Sequence, residues 1–195
     1  MASNLRQMVT PEFQPFFMAS VGASAGLIGL LFVSVSIAPE RVFGQQSDAV
    51  RQAQALSAFS ALANVFFISL MSLVPGVLFG LVVTSVSIPA ILQTLALLGL
   101  ARRWHSVGII ARGLVLFLAS LAIYGYELAL GIGMWRNPTD KGILVSLLFV
   151  LIGAYAIGLG RAWELLGAPR SGFILSVWSL FSAVRRTPKT NTPKS

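Results

Sequence analysis

Residues 55–100 read ALSAFSALANVFFISLMSLVPGVLFGLVVTSVSIPAILQTLALLGL, a stretch of 46 residues without one charged side chain. A bilayer core of about 30 Å is crossed by about 20 helical residues, so this stretch is long enough for two crossings. Near its middle lies Pro75-Gly76, where the proline interrupts helical hydrogen bonding and the glycine permits a tight reversal. The sequence therefore predicts two membrane-spanning helices joined by a hairpin.

Three further apolar stretches are long enough to cross a membrane. The five predicted spans are Phe16–Ile37, Ala55–Val74, Val77–Leu100, Ile109–Met134 and Gly142–Gly160. Only 10% of the residues are charged, against about 25% in soluble domains, and 56% are hydrophobic. We therefore predict an all-α integral membrane bundle of five transmembrane helices over residues 16–166.

Basic residues predict the orientation of this bundle. One side of the five spans carries three of them, Arg6, Arg136 and Lys141. The other side carries eleven: Arg41, Arg51, Arg102, Arg103, Arg112, Arg161, Arg170, Arg185, Arg186, Lys189 and Lys194. Because cytoplasmic loops are enriched in Lys and Arg, we expect the N-terminal tail, residues 1–15, outside and the C-terminus inside. Arginines near helix ends, Arg161 among them, are expected to extend to the surface.

The C-terminal region has the pattern of a helix that lies on the membrane. Residues 167–186 contain apolar residues at helical spacing and end on Arg185-Arg186, which predicts a cytoplasmic interfacial helix beside anionic lipid. A passive anchor and a lipid-sensing or partner-docking helix both fit this pattern. Residues 187–195 are polar and contain two prolines, which predicts disorder. The net charge of +8 is explained by these cytoplasmic segments, and no nucleic-acid partner is expected.

Small residues predict where helices meet inside the membrane. Gly22, Gly26 and Gly29 share one face of the first span, and Gly76 and Gly80 open the third. Such faces allow two helices to approach closely. They indicate packing within the chain, or association with a second copy or another membrane protein.

Glu127 is the one acidic residue well inside a predicted span. An ionised carboxylate is costly there, so it needs a bound proton or hydrogen-bond partners. Two interpretations remain: a proton- or cation-binding site, or a protonated acid that joins two helices. The neighbours expected from depth are Ser20, Ser24, Ser69, Ser72 and Thr84.

Other polar features of the spans are sparse. Pro89 removes a helical hydrogen bond to Ser85, which indicates either a simple kink or a carbonyl that faces a water-filled path. Asn64 and Gln93 add polar groups at other expected depths.

Composition limits the chemistry of the chain. It has no cysteine and one histidine, His105, which excludes thiolate chemistry and histidine-clustered metal sites. No nucleophile and base are paired by any motif. We therefore predict no catalytic residue, no metal, no cofactor and no enzymatic activity.

Residues 22–36, GASAGLIGLLFVSVS, followed by Glu40-Arg41 and the turn Leu73–Gly76, resemble a family of small bacterial multi-pass membrane proteins. Some of its members are labelled modulators of the FtsH protease, a label that belongs to a different, seven-helix family. The resemblance implies a bacterial inner-membrane protein and supplies no catalytic residues.

Two functions follow from these patterns. The first is a non-catalytic protein that acts through helix–helix association, as a self-oligomer or as an accessory or regulatory subunit. The second is a small oligomeric ion or proton channel or carrier that uses Glu127 and a third helix kinked at Pro89.

Overall fold

The computed structural model of the chain describes residues 11–37, 39, 49–101, 107–138 and 140–165. A short 3-10 helix, Pro11–Phe13, precedes five α-helices. They are α1 (Gln14–Ile37), α2 (Ala49–Ser72), α3 (Phe79–Ala101), α4 (Val107–Arg136) and α5 (Lys141–Leu165). These described ranges contain no strand, and all five helices are long and apolar enough to cross a membrane. The predicted all-α class and the count of five are therefore confirmed.

Several predicted features lie outside the described residues. They are most of the N-terminal tail, the interfacial helix over 167–186, the tail over 187–195, and the loop residues Arg102, Arg103 and His105.

The turn between α2 and α3 follows from its sequence. Hydrogen bonds from Leu73 N to Leu70 O (3.1 Å) and from Val74 N to Met71 O (3.2 Å) tighten the chain as α2 ends. Gly76 then adopts a φ of 78°, a left-handed conformation that glycine takes without a steric cost. The predicted hairpin is therefore confirmed, and Gly76 serves the reversal. We call this side of the molecule the Pro75 end.

A second turn at the Pro75 end joins α4 to α5. The carboxylate of Asp140 accepts a hydrogen bond of 2.8 Å from the backbone N–H of Gly142. This satisfies one of the free N–H groups at the start of α5, as an N-cap residue does.

Four of the helices form a closed ring. α3 packs along α4 and α2 along α5, while smaller contacts join α2 to α3 and α4 to α5. α1 lies outside this ring and packs mainly on α2. Its Phe17 is fully buried, with its ring edge-on to that of Phe79 at 5.8 Å between centroids.

Glycines permit a close contact between α3 and α4. A Cβ on Gly80 would lie 2.9 Å from the carbonyl oxygen of Gly131 and 2.7 Å from Cδ1 of Trp135. A Cβ on Gly131 would lie 2.7 Å from Oγ1 of Thr84. The two backbones are therefore in direct contact, as small residues permit inside membranes.

Candidate functional site

The most unusual residue of the ring is Glu127 on α4, whose side chain is fully buried. Its Oε1 accepts a hydrogen bond of 3.0 Å from Nδ2 of Asn64 on α2. The same oxygen lies 2.6 Å from Oγ of Ser87 on α3. One carboxyl oxygen thus connects three helices of the ring.

Helix length explains why these three residues meet. Asn64 lies eight residues before the end of α2, Ser87 eight residues after the start of α3, and Glu127 nine residues before the end of α4. At about 1.5 Å per residue, all three lie about 12 to 14 Å from the Pro75 end. They therefore share one level in the interior of the ring.

Two acceptor oxygens in this group have no hydrogen-bond partner among the described residues. They are Oε2 of Glu127 and Oδ1 of Asn64, and both atoms are inaccessible to solvent. A buried acceptor without a donor carries a desolvation cost of about 1–3 kcal/mol. We call Asn64, Ser87 and Glu127 the Glu127 cluster, and each of its two unpartnered oxygens can accept a further hydrogen bond.

The serines and the threonine expected near Glu127 bind elsewhere. Ser24 Oγ donates to the carbonyl of Ser20 at 2.7 Å, Ser72 Oγ to that of Ser69 at 2.6 Å, and Thr84 Oγ1 to that of Gly80 at 2.8 Å. The hydroxyl of Ser69 is buried without a partner among the described residues.

Ser20 and Ser24 take part in a different contact. The hydroxyl of Tyr155 on α5 donates to the carbonyl of Ser20, and the Ser24 hydroxyl, 2.6 Å away, can turn from that carbonyl to donate to Tyr155. These bonds attach α1 to the ring.

Pro89 lies on the outer surface of α3, and so does Ser85, whose carbonyl it leaves without a helical bond. The helix continues through this position from Phe79 to Ala101. The structure therefore does not bring Pro89 to the Glu127 cluster. Gln93 accepts a hydrogen bond from Ser60 of α2, away from Glu127.

Arg161 corrects an expectation from the sequence. Instead of extending to the surface it is 3% exposed, and its Nη2 donates to Oγ of Ser120 on α4 at 3.0 Å. Its guanidinium also lies over the ring of Phe117, 5.1 Å from the centroid. A cation–π contact and a buried hydroxyl thus hold this charge inside the ring.

Buried polar residues lie on one face of α4 between the level of Arg161 and that of Glu127. Ser120, Tyr124 and Glu127 follow at intervals of four and three residues, and all three are buried. Seven residues separate Ser120 from Glu127, which is about 10 Å along the helix. The interior therefore holds a polar stripe on α4 with a basic group at one end and an acidic group at the other.

The burial of Arg161 could have been predicted from the spacing of residues on α5. On α5, Leu147, Leu151, Ala154, Gly158 and Arg161 follow at alternating intervals of four and three residues. The first three are buried, and a Cβ on Gly158 would lie 3.2 Å from Leu62 of α2. The same periodicity that predicts a buried face thus places Arg161 on it.

The glycine faces differ in their surroundings. A Cβ on Gly22, Gly26 or Gly29 of α1 would meet no described atom within 4 Å, whereas Gly80 is enclosed by α4. At about 100° per residue, these three glycines lie opposite the buried face of α1. That buried face consists of Phe17, Ser20, Ser24 and Leu31.

Within the described part of the chain, no three His, Asp or Glu side chains converge as metal ligands. The hydrogen-bonding and proton chemistry available there is that of one buried carboxyl and its neutral partners. No family model, curated protein or solved structure matches the chain.

Proposed function

We propose that the chain is a non-catalytic bacterial inner-membrane protein that acts through helix–helix association, with α1 as the associating helix. The observation that carries this proposal is the open glycine face of α1, formed by Gly22, Gly26 and Gly29. In lipid, a helix face without side-chain bulk is stabilised mainly by close packing against another helix.

The position of α1 supports this role. It lies outside the four-helix ring and contacts the other described helices through one face. The opposite face adds Val33, which is 56% exposed, to the three glycines. A partner can therefore approach this face without displacing any helix of the ring.

The partner that fits best is the α1 of a second copy. Two copies inserted with the same orientation present the same glycine face to each other, and a two-fold axis makes that face self-complementary. The closest approach would then lie along Gly22 to Gly29. A role as an accessory or regulatory subunit of another membrane complex would use the same face with a different occupant.

The proposed orientation in the membrane rests on the charge asymmetry of the loops. With the N-terminus outside, the Pro75 end faces the exterior and the basic loops face the cytoplasm. Anionic lipid at the cytoplasmic surface is then the expected lipid partner.

Cysteine crosslinking in liposomes tests self-association directly, because the chain has no cysteine of its own. Val33→Cys lies on the glycine face, and Phe149→Cys lies on α5 with 70% exposure. We expect oxidation to give a dimer for Val33→Cys and not for Phe149→Cys, at a protein-to-lipid ratio low enough to suppress random collisions.

A pair of glycine substitutions gives the matched control. Gly26→Leu should reduce the Val33→Cys dimer at least about tenfold in association constant, or about 1.4 kcal/mol. Gly125→Leu should not, because Gly125 of α4 is also exposed and without a neighbour for a Cβ, yet lies off α1. Equal crosslinking at Val33 and Phe149, or none at Val33, would contradict self-association through α1.

A further inference from the structure

The hydroxyl of Ser87 lies at hydrogen-bond distance from two acceptors, although it has one hydrogen. Its Oγ lies 2.7 Å from the carbonyl oxygen of Val83 and 2.6 Å from Oε1 of Glu127. Both distances are those of O–H···O hydrogen bonds. A serine hydroxyl has a single hydrogen, so it can donate only one of the two bonds.

A proton on Glu127 supplies the missing hydrogen. If Oε1 of Glu127 carries it, Glu127 donates to Ser87, and Ser87 donates to the carbonyl of Val83. Each of the two short contacts then has one hydrogen and one acceptor. The carbonyl of Val83 has no hydrogen to give, and Asn64 bonds Oε1 through its amide, so a protonated Glu127 fits both short contacts of Ser87.

The same partners also suit the ionised acid. When the proton leaves, the hydroxyl of Ser87 can rotate from Val83 to Oε1, and the amide of Asn64 already donates to that oxygen. Hydroxyl and amide groups can each donate or accept, whereas a lysine or arginine partner could only donate. The Glu127 cluster is thus built from groups that can hydrogen-bond both states of the carboxyl.

The charges that face the Glu127 cluster are few. Among the described side chains of the helices packed around it, α1 and α3 contribute no ionisable residue, and α2 contributes none from Gln52 onward. α5 contributes Tyr155, which binds α1, and Arg161, which binds Ser120 about 10 Å along α4. The first residue of α5, Lys141, is exposed and paired with Glu12. α4 itself contributes Tyr124 one turn away, the exposed Tyr126, and the exposed Arg136 at the Pro75 end.

We propose that Glu127 is a reversible proton-binding site, with Ser87 and Asn64 as its hydrogen-bonding partners. On binding, an O–H bond forms at Oε1 with a proton supplied by water as hydronium, and the Ser87 hydrogen turns to Val83. On release, that bond breaks, the proton returns to water, and the Ser87 hydrogen turns to the carboxylate. This inference does not depend on the association of α1.

Infrared spectroscopy of the protein in liposomes tests the site, because a protonated carboxyl has a C=O stretching band that a carboxylate lacks. The chain has only six acidic residues, and ¹³C labelling of the glutamate carboxyls separates their bands from lipid esters. We expect a protonated glutamate band that disappears reversibly as the pH is raised. Glu127→Gln should remove the band, and Glu12→Gln, which changes an exposed acid, should leave it unchanged.

Two substitutions on α3 distinguish the hydrogen bond of Ser87 to Glu127 from the general effect of removing a buried hydroxyl. Ser87→Ala should move the band to higher frequency, since the acid then has one hydrogen bond fewer. Thr94→Val should leave it in place, because Thr94 is also buried and bonds the carbonyl four residues before it, yet has no contact with Glu127.

Three results would overturn the proposal. The first is no protonated band from Glu127 at any pH at which circular dichroism shows a folded protein. The second is a band that persists throughout that range, which is the behaviour of a permanently protonated structural acid. The third is loss of the band on addition of Na⁺ at constant pH, which would identify a metal cation as the ligand. The wild-type titration gives each of these answers even if a variant fails to fold.

Discussion

The contact between α3 and α4 makes a quantitative prediction about Gly131→Ala. The added methyl group would lie 2.7 Å from Oγ1 of Thr84, 3.0 Å from its backbone nitrogen and 3.2 Å from the carbonyl oxygen of Gly80. Two of these three atoms belong to the backbone of α3, so they can move away only if the helix itself moves. The threonine oxygen is held by its bond to Gly80 and by the restricted χ1 of a β-branched residue.

Two opposing terms set the magnitude. Overpacking of a tight interior costs about 1–3 kcal/mol. Alanine in place of glycine gains at most about 1 kcal/mol of helix propensity. We therefore expect Gly131→Ala to lower the free energy of unfolding by as much as about 2 kcal/mol, and to be about 1–3 kcal/mol less stable than an alanine substitution at an open glycine of the same helix.

Gly125→Ala is the matched control, because Gly125 lies on the same helix and its added methyl would meet no described atom within 4 Å. Only the propensity gain remains there, so its stability should equal or exceed that of the wild type. The measurement is reversible unfolding in mixed micelles with increasing denaturing detergent, followed by circular dichroism. If Gly131→Ala proves as stable as Gly125→Ala, the close approach of α3 and α4 is refuted.

Two further substitutions test smaller contacts. Tyr155→Phe removes the hydroxyl that joins α5 to Ser20 and Ser24 of α1, and should cost about 0.6–1.7 kcal/mol of unfolding free energy in the same micelles. A cost indistinguishable from zero would mean that packing alone holds α1 on the ring. Lys141→Met breaks a salt bridge of 2.9 Å to Glu12. Because the side chains of Lys141 and Glu12 are 64% and 52% exposed, its loss should lower the free energy of unfolding by less than about 1 kcal/mol. That small cost should vanish at high salt, and a larger, salt-independent loss would contradict a surface role.

Much of the architecture could be predicted from the sequence, because span length and turn chemistry are local properties. The five helices and the hairpin at Pro75-Gly76 follow from apolar length and from two residues that end a helix. The burial of Glu127 also has a local signal. Phe117, Ser120, Tyr124, Glu127 and Met134 lie on one face of α4 at helical spacing, and all are buried.

The partners of Glu127 were harder to predict, since they depend on the exact ends and on the neighbours of each helix. The predicted second span ends at Val74 and the fourth at Met134, which sets Asn64 and Glu127 at different depths. In the structure α2 ends at Ser72 and α4 at Arg136, so the two residues share one level. The predicted ends of the two helices were each wrong by two residues, in opposite directions, so the sequence did not predict the contact between Asn64 and Glu127.

Ser24 shows the other limit of the sequence. Its depth is close to that of Glu127, as expected, because it lies ten residues from the start of α1. However, α1 packs outside the ring, and Ser24 faces Tyr155 instead. Depth along a helix can be read from a sequence, whereas the order of helices around a bundle depends on contacts between distant segments.

The four-helix ring and the glycine face of α1 rely on different interactions. Proton binding at Glu127 and association through α1 can therefore be tested separately. Buried polar contacts at Glu127 and Arg161 connect the helices of the ring, where the hydrophobic effect gives little preference for one apolar partner over another. The helix α1 has no ionisable residue, and its three glycines lie on the face turned away from the ring. Since the glycine face and the Glu127 cluster share no contact, substitutions in one should leave the other intact, and their effects on stability should add. An association carried by α1 can therefore be lost without a change in proton binding at Glu127, and the reverse also holds.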